Sequence, residues 1–263
     1  MTSFSSPRSS RHRRLPWQAI IDCLVLFLWS FVLIRFAVTG KLFLLLHPDY
    51  MWLSNLAAVM LFGLGCIRAF QIWQSFTSPR SQPGFRSEEH IALLPRQIST
   101  GLLLAIAVFG LIYSPRPFTS ETAFQRGITD VLGQTRSRPE RFVLSGAPED
   151  RTIVDWIRTL NVYPEPDAYA DQPVKVSGFV VHIPDWPDNH FMISRFVLTC
   201  CAADAYPVGL PVELSNGDPM PEPDTWLEVS GKMKTGTLSG KRQLVIGSPA
   251  ATEIPEPRNP YEY

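Results

Sequence analysis

The chain has 263 residues, 45% hydrophobic and 18% charged, and its 24 Lys and Arg balance 24 Asp and Glu. That balance hides an asymmetry: residues 1–113 carry ten basic and four acidic side chains and the remainder fourteen and twenty, so the halves sit at +6 and −6. An acidic soluble half is a poor match for phosphate backbones and argues against nucleic-acid binding, while four cysteines in two unlike settings, with no C-x-x-C or Cys/His spacing, form neither a disulfide framework nor a recognisable zinc motif.

Residues 1–16, rich in Ser and Arg, have the makeup of a cytoplasmic tail, with Arg8, Arg11, Arg13 and Arg14 ahead of the first apolar run. Trp17 to Val38 is long enough to span a hydrocarbon core of about 30 Å. Its bulky Phe, Leu and Trp continue through Phe36 without a small-residue cleavage site, which describes an anchor and not a signal peptide. Asp22 and Arg35 lie roughly 20 Å apart along such a helix, each near an end from which it can reach the interface. Thr39-Gly40-Lys41 breaks the helix, and His47-Pro48-Asp49-Tyr50 makes a polar turn before a second span from about Met51 to Trp73. Trp52 and Trp73 fall where interfacial aromatics belong. Gly63, Gly65 and Cys66 allow close helix approach, and Cys23 and Cys66 read as packing residues.

A third apolar run, Ile98 to Tyr113, has only sixteen residues, which is short for a span. The membrane domain expected over 17–113 therefore has about three transmembrane helices. The N-terminal tail and the Gln74–Arg96 loop, with Arg80, Arg86 and Arg96, are richer in Arg than the 39–50 turn, which has only Lys41. The tail and long loop are thus expected in the cytoplasm of a multi-pass protein of the plasma (inner) membrane, and three crossings carry the soluble half outside it. Without the third crossing that half is cytoplasmic.

Residues 114–172 read as a linker with a short amphipathic helix at about 152–160: Ile153, Trp156, Ile157 and Leu160 share one face, with Asp150 or Thr152 as N-cap. Beyond it the period becomes β-like. Val174–Val181, Phe191–Leu198, Val208–Leu214, Trp226–Val229 and Gln243–Ile246 are five short strands, with Gly178 suggesting a bulge or bend. An OB-like five-stranded Greek-key barrel over 173–254 is the expected fold, a small β sandwich the alternative. Residues 255–263 form a Pro-rich tail expected to lie extended along the surface.

Cys200 and Cys201 stand side by side in Arg195–Pro207, RFVLTCCAADAYP, the only cysteines of the soluble half. In a continuing strand they would face opposite ways, so they act together only if a turn begins there. In that turn Cys201 and Asp204 share a face at i, i+3, giving a partial thiolate and carboxylate site for a thiophilic metal ion such as zinc, which His182 or His190 would complete. A redox-labile vicinal disulfide and plain packing at a strand end are the other readings. Asp185 and Asp188, flanking Trp186 and Pro187, form a solvated acidic turn, and His47 is a polar turn residue that could approach the β domain from the membrane face. With no nucleophile elbow, no phosphate-cradling Gly-rich loop and no H-E-x-x-H, the chain reads as a binding module and not an enzyme.

The strings Val176-Ser177-Gly178-Phe179-Val180, Phe191-Met192-Ile193-Ser194-Arg195-Phe196, Cys200-Cys201-Ala202-Ala203-Asp204-Ala205 and Trp226-Leu227-Glu228-Val229-Ser230-Gly231, with the His47-Pro48 turn and Pro260-Tyr261, resemble the YcgQ-like family of predicted two-component permease subunits. The double-cysteine core is the specific part of the likeness. The resemblance implies an accessory subunit in the lipid bilayer with a separate polytopic permease as partner, and it carries no substrate. Arg195, Phe196, Trp226, Gly231 and His47 are the motif residues it marks, with Arg195 expected to pair a carboxylate near the site. This chain departs from the family in its short third span and in a membrane loop with one histidine, His90.

Overall fold

The structure, a computed structural model, describes residues 17–77, 95–128, 147–215 and 217–263, with Arg96 and Ser248 described by backbone alone. The expected cytoplasmic tail, Arg80, Arg86 and His90 of the long loop, and linker residues 129–146 lie outside the described residues. The chain divides into two compact units. One comprises Trp52–Ser114 with the residues up to Thr39; the other comprises Gly40–Met51 with Pro115–Tyr263.

The first unit is helical, with α1 (Trp17–Val38), α2 (Met51–Thr77) and α3 (Arg96–Ile112). Trp17–Val38 and Pro48–Thr77 are long and apolar enough to cross a membrane, and Gln97–Ile112 is a shorter apolar helix. Large apolar side chains face outward along all three, among them Phe31, Val59, Met60 and Phe109. Inside, polar groups on α1 find partners on its neighbours. The Cys23 thiol donates to the Gly65 carbonyl at 3.5 Å and the Ser30 hydroxyl to the Ala58 carbonyl at 2.8 Å, so α2 runs antiparallel to α1. Gly65 is needed for this approach, since a Cβ there would lie 3.0 Å from the Phe27 ring. On the other side Thr100 donates to Asp22 and the Trp29 indole to the Leu103 carbonyl, each at 3.2 Å, and Arg35 donates to the Leu111 carbonyl. These partners ascend together, so α3 runs parallel to α1 along nearly its whole length.

The second unit carries α4 (Ser120–Gln125), α5 (Ile153–Val162) and six strands: β1 (Pro173–Val181), β2 (His190–Val197), β3 (Tyr206–Glu213), β4 (Trp226–Leu238), β5 (Lys241–Glu253) and β6 (Tyr261–Glu262). Thr152 caps α5 in a capping box with Asp155, each accepting from the other's backbone N–H. The apolar stripe expected on this helix places Ile153, Trp156 and Ile157 in the core.

The strands make one mixed sheet. β1 pairs antiparallel with β4 and, beyond Phe179, with β2; β2 pairs antiparallel with β3, β3 parallel with β5, and β5 antiparallel with β4. The hydrogen-bonded neighbours thus return to their start as β1–β2–β3–β5–β4–β1. Strand alternation sorts the side chains: Val174, Val176, Val180, Phe191 and Ile193 join α5 in one core, while Phe179, Val181, Met192 and Phe196 join Ala123 and Ile128 in a second.

Two local readings are corrected by this register. Gly178 is not a bulge, because β1 matches β4 without interruption from Pro173 to Phe179; it sits where β2 closes on β1, and a Cβ there would lie 2.4 Å from the Ser194 carbonyl oxygen. The irregularity lies between β4 and β5 at Ser230/Lys232, around Gly231, where a Cβ would approach the Gly247 oxygen to 2.8 Å. The C-terminal tail does not simply lie along the surface: Tyr261 and Glu262 add a parallel edge strand to β2, and Tyr261 is 97% buried (3% exposed) against Phe118 and Phe196.

Candidate functional site

At the end of β2 the tail pairs beside it, and the Leu198 N–H carries that pairing one residue further by donating to the Glu262 carbonyl at 3.0 Å. The chain then turns through Thr199 and Cys200 into a single 3₁₀ turn, Ala202–Asp204. The Asp204 N–H donates to the Cys201 carbonyl at 3.1 Å, and the Asp204 carboxylate in turn accepts from the Cys201 N–H. Oδ2 of Asp204 also receives the Thr199 hydroxyl and, at 2.9 Å, the Cys200 N–H; Oδ1 receives the Cys201 N–H at 3.2 Å.

The turn does what an extended chain forbids: it brings the Cys200 and Cys201 sulfurs to 3.6 Å as free thiols. One ligand atom each from Cys200, Cys201 and Asp204 lies within 4.8 Å of the others. Cys200 is exposed, and the other two are half-buried. Burial pushes the Asp204 carboxyl upward, but bonds from Thr199, Cys200 and Cys201 outweigh it and hold it down to about 2. The same carboxylate, by its hydrogen bond and its charge, together with Cys201, pushes the Cys200 thiol up to about 11. Cys200 therefore holds its proton beside a carboxylate, and a cation that displaces thiol protons here would meet two sulfurs and one carboxylate oxygen.

The other marked residues stand elsewhere in the unit. The His182 ring nitrogen Nε2 meets the Pro221 carbonyl at 2.8 Å. His190, facing Glu213 across β2 and β3, has Nδ1 2.7 Å from Asn189 and Nε2 3.3 Å from Glu213. Neither belongs to the gathered donor group. His47 does reach the turn: its backbone N–H donates to the Cys200 carbonyl at 3.1 Å, the Ala202 N–H donates to the Leu45 carbonyl at 2.9 Å, and Leu46 and Cys201 form an antiparallel bridge.

Arg195 holds the strand that delivers the cysteines. Its Nε donates to the Ser177 carbonyl at 2.9 Å, a second nitrogen to the Ser177 hydroxyl at 2.8 Å and a third to the Asn259 carbonyl at 3.4 Å. The guanidinium lies 4.9 Å from the Trp226 ring centroid and 3.8 Å from the Glu262 carboxylate. Phe196 stacks on Phe179 at 5.7 Å. Two contributors went unmarked in the sequence: Thr199, legible only as a hydroxyl beside the pair, and Glu262, to which no spacing points.

Two family models cover most of the chain, the DUF1980 N-terminal domain over residues 21–129 and the DUF1980 C-terminal domain over residues 149–263. No curated protein and no solved structure matches it. The chain belongs to the DUF1980 family.

Proposed function

We propose that this DUF1980 chain is an accessory subunit of a transport system in the inner membrane, a binding module and not a catalyst, whose Cys200–Asp204 turn takes a thiophilic metal ion such as zinc or copper(I). The observation that carries the reading is the convergence of two sulfurs and a carboxylate oxygen within 4.8 Å on one capped turn. Soft and borderline cations favour thiolate donors, and deprotonation of both thiols is part of the binding. The separate polytopic permease enters as partner through the family resemblance.

A multi-pass topology with the β domain outside the cytoplasm draws support from two contacts. His47, between α1 and α2, and Cys200, beyond α3, are bonded within one unit, so they belong on the same side of a bilayer. With α1 and α2 crossing, that requires a third crossing by α3. The parallel bonding of α3 to α1 at both ends favours the same reading, although seventeen residues reach only about 25 Å, which tilt of the neighbours and local thinning accommodate. For the β unit, the ring of pairings with β3 and β5 parallel favours an OB-like barrel over a sandwich.

The test is metal binding by the full chain in detergent, read by equilibrium dialysis with zinc and with copper(I), against the Cys200→Ser/Cys201→Ser form. Thiolate-dependent binding supports the reading, and equal binding by both forms ends it. Co-purification with the permease tests the subunit role. The sulfur separation of 3.6 Å supports one further reading, a dithiol that exchanges with an external disulfide, becoming a vicinal disulfide while that partner is reduced to its dithiol; mass spectrometry on protein trapped in its cellular state detects the two-hydrogen loss, and permanently free thiols refute it.

A further inference from the structure

We propose that the His47 imidazole is the nitrogen ligand that completes the Cys200, Cys201 and Asp204 site, an inference that rests on the metal reading above. Zinc-like ions favour four protein donors in closed tetrahedral sites, and the gathered set supplies three. His182 and His190 are engaged on other carbonyl and carboxylate groups. Beside the isolated antiparallel bridge between Leu46 and Cys201, the His47 N–H donates to the Cys200 carbonyl at 3.1 Å, which sets the His47 backbone against Cys200.

The ring has two aromatic neighbours. Its edge contact with Tyr263 has centroids 4.5 Å apart, and Tyr50 lies 5.9 Å away. Nδ1 accepts from the Asp49 N–H at 3.2 Å and lies 3.7 Å from the Asp49 carboxylate. That leaves Nε2 as the nitrogen free for a ligand. When a divalent ion binds, the two thiol protons leave to solvent, the ion takes the Nε2 lone pair of a neutral imidazole, and the ring proton sits on Nδ1 facing the Asp49 carboxylate, the carboxylate–histidine arrangement common behind metal ligands.

His47 is not within the 4.8 Å group, so the ring swings inward to close the site. Three donors on one turn capture the ion, and the fourth arrives on the segment that joins α1 to α2. Occupancy thereby acts on the connection between the two long apolar helices, where a permease partner in the bilayer would read it.

The experiment uses the full chain in nanodiscs, loaded with zinc for X-ray absorption and with cobalt(II) for optical spectra. The expected wild-type site shows two sulfur scatterers plus imidazole multiple scattering, and tetrahedral cobalt bands. His47→Ala loses the imidazole signature and binds zinc more weakly than Asp49→Asn, which itself loses about 10–100-fold. A thiolate site with no imidazole signature in the wild type, or one retained in His47→Ala, overturns the inference and leaves the metal reading standing. Absence of any thiolate-dependent metal overturns both. The wild-type spectrum decides the matter even if the His47 variants fold poorly.

Discussion

The backbone N–H of His47 donates to the Cys200 carbonyl at 3.1 Å, joining the segment between the two long apolar helices to the turn that carries the double cysteine. Neither residue owes the contact to its side chain, since the bridge is made by backbone. The contact therefore constrains topology whatever the cysteines bind.

Together with the proposed topology it predicts where a membrane-impermeant thiol reagent reaches. In a cysteine-free chain, Asp49→Cys and Tyr163→Cys, both exposed positions, label from outside intact cells. Ser75→Cys, near the end of α2, labels only after permeabilisation. If Tyr163→Cys instead follows Ser75→Cys, α3 does not cross.

The Asp204 carboxylate makes a second prediction, on pH. Cys200 is pushed up to about 11, chiefly by its hydrogen bond to Asp204. Alkylation of the metal-free protein by iodoacetamide, which needs the thiolate, should therefore rise with pH well past the ordinary thiol midpoint of about 8.5. Asp204→Asn removes the charge and brings the midpoint down. An unchanged midpoint would mean that the carboxylate is not what holds the proton. The same carboxyl, held down to about 2, stabilises the turn above the ordinary carboxylate range of about 4 and loses that contribution as pH falls through 2.

Much of the β unit was legible in the sequence because its strand cores alternate: Val174 to Val181 and Phe191 to Leu198 announce themselves by period. The length of β4 and β5 was not, since Lys232-Met233-Lys234-Thr235-Gly236-Thr237 lacks a continuous apolar face and Pro249 interrupts the other strand. The turn between them, Ser239-Gly240, has both residues at positive φ, 50° and 74°, the hairpin geometry for which Asn-Gly is the usual signal. At the site, local spacing was enough to pair Cys201 with Asp204 at i, i+3. His47, Glu262 and Tyr263 come from distant parts of the chain, and only tertiary pairing brings them near. Gly178 carried a signal, but its cause is close approach of β2 and not a bulge.

That cause is testable. Gly178→Ala sets a methyl carbon 2.4 Å from the Ser194 oxygen, a backbone atom that cannot rotate away. The substitution should destabilise the protein by about 1–3 kcal/mol, the usual cost of overpacking. Gly217→Ala, with open space around its Cβ but a φ of 99°, separates the two glycine roles by strain alone. Chemical denaturation of the full chain compares them, and a neutral Gly178→Ala would mean that β1 and β2 are not pressed together there.

The last prediction concerns Arg195 and Glu262, whose side chains are 12% and 15% exposed at 3.8 Å. Burial raises the Glu262 carboxyl, and the Arg195 charge draws it back. Removing one partner of a buried pair leaves the other uncompensated at a cost of about 3–5 kcal/mol, whereas removing both costs far less. Arg195→Met should therefore lower the unfolding midpoint sharply, and Arg195→Met/Glu262→Gln should recover part of the loss in a double-mutant cycle. The sign with pH follows. In Arg195→Met the carboxyl rises further above its unfolded value, so stability is highest below about pH 4 and falls as pH climbs through the folded value. Because Glu262 also accepts from the Val154 N–H at 3.2 Å and its carbonyl accepts from Leu198, the same variant should loosen the end of β2 and weaken metal retention at Cys200 and Cys201. Additive single effects, with no recovery in the double variant, would assign Arg195 to its Ser177 and Trp226 contacts alone.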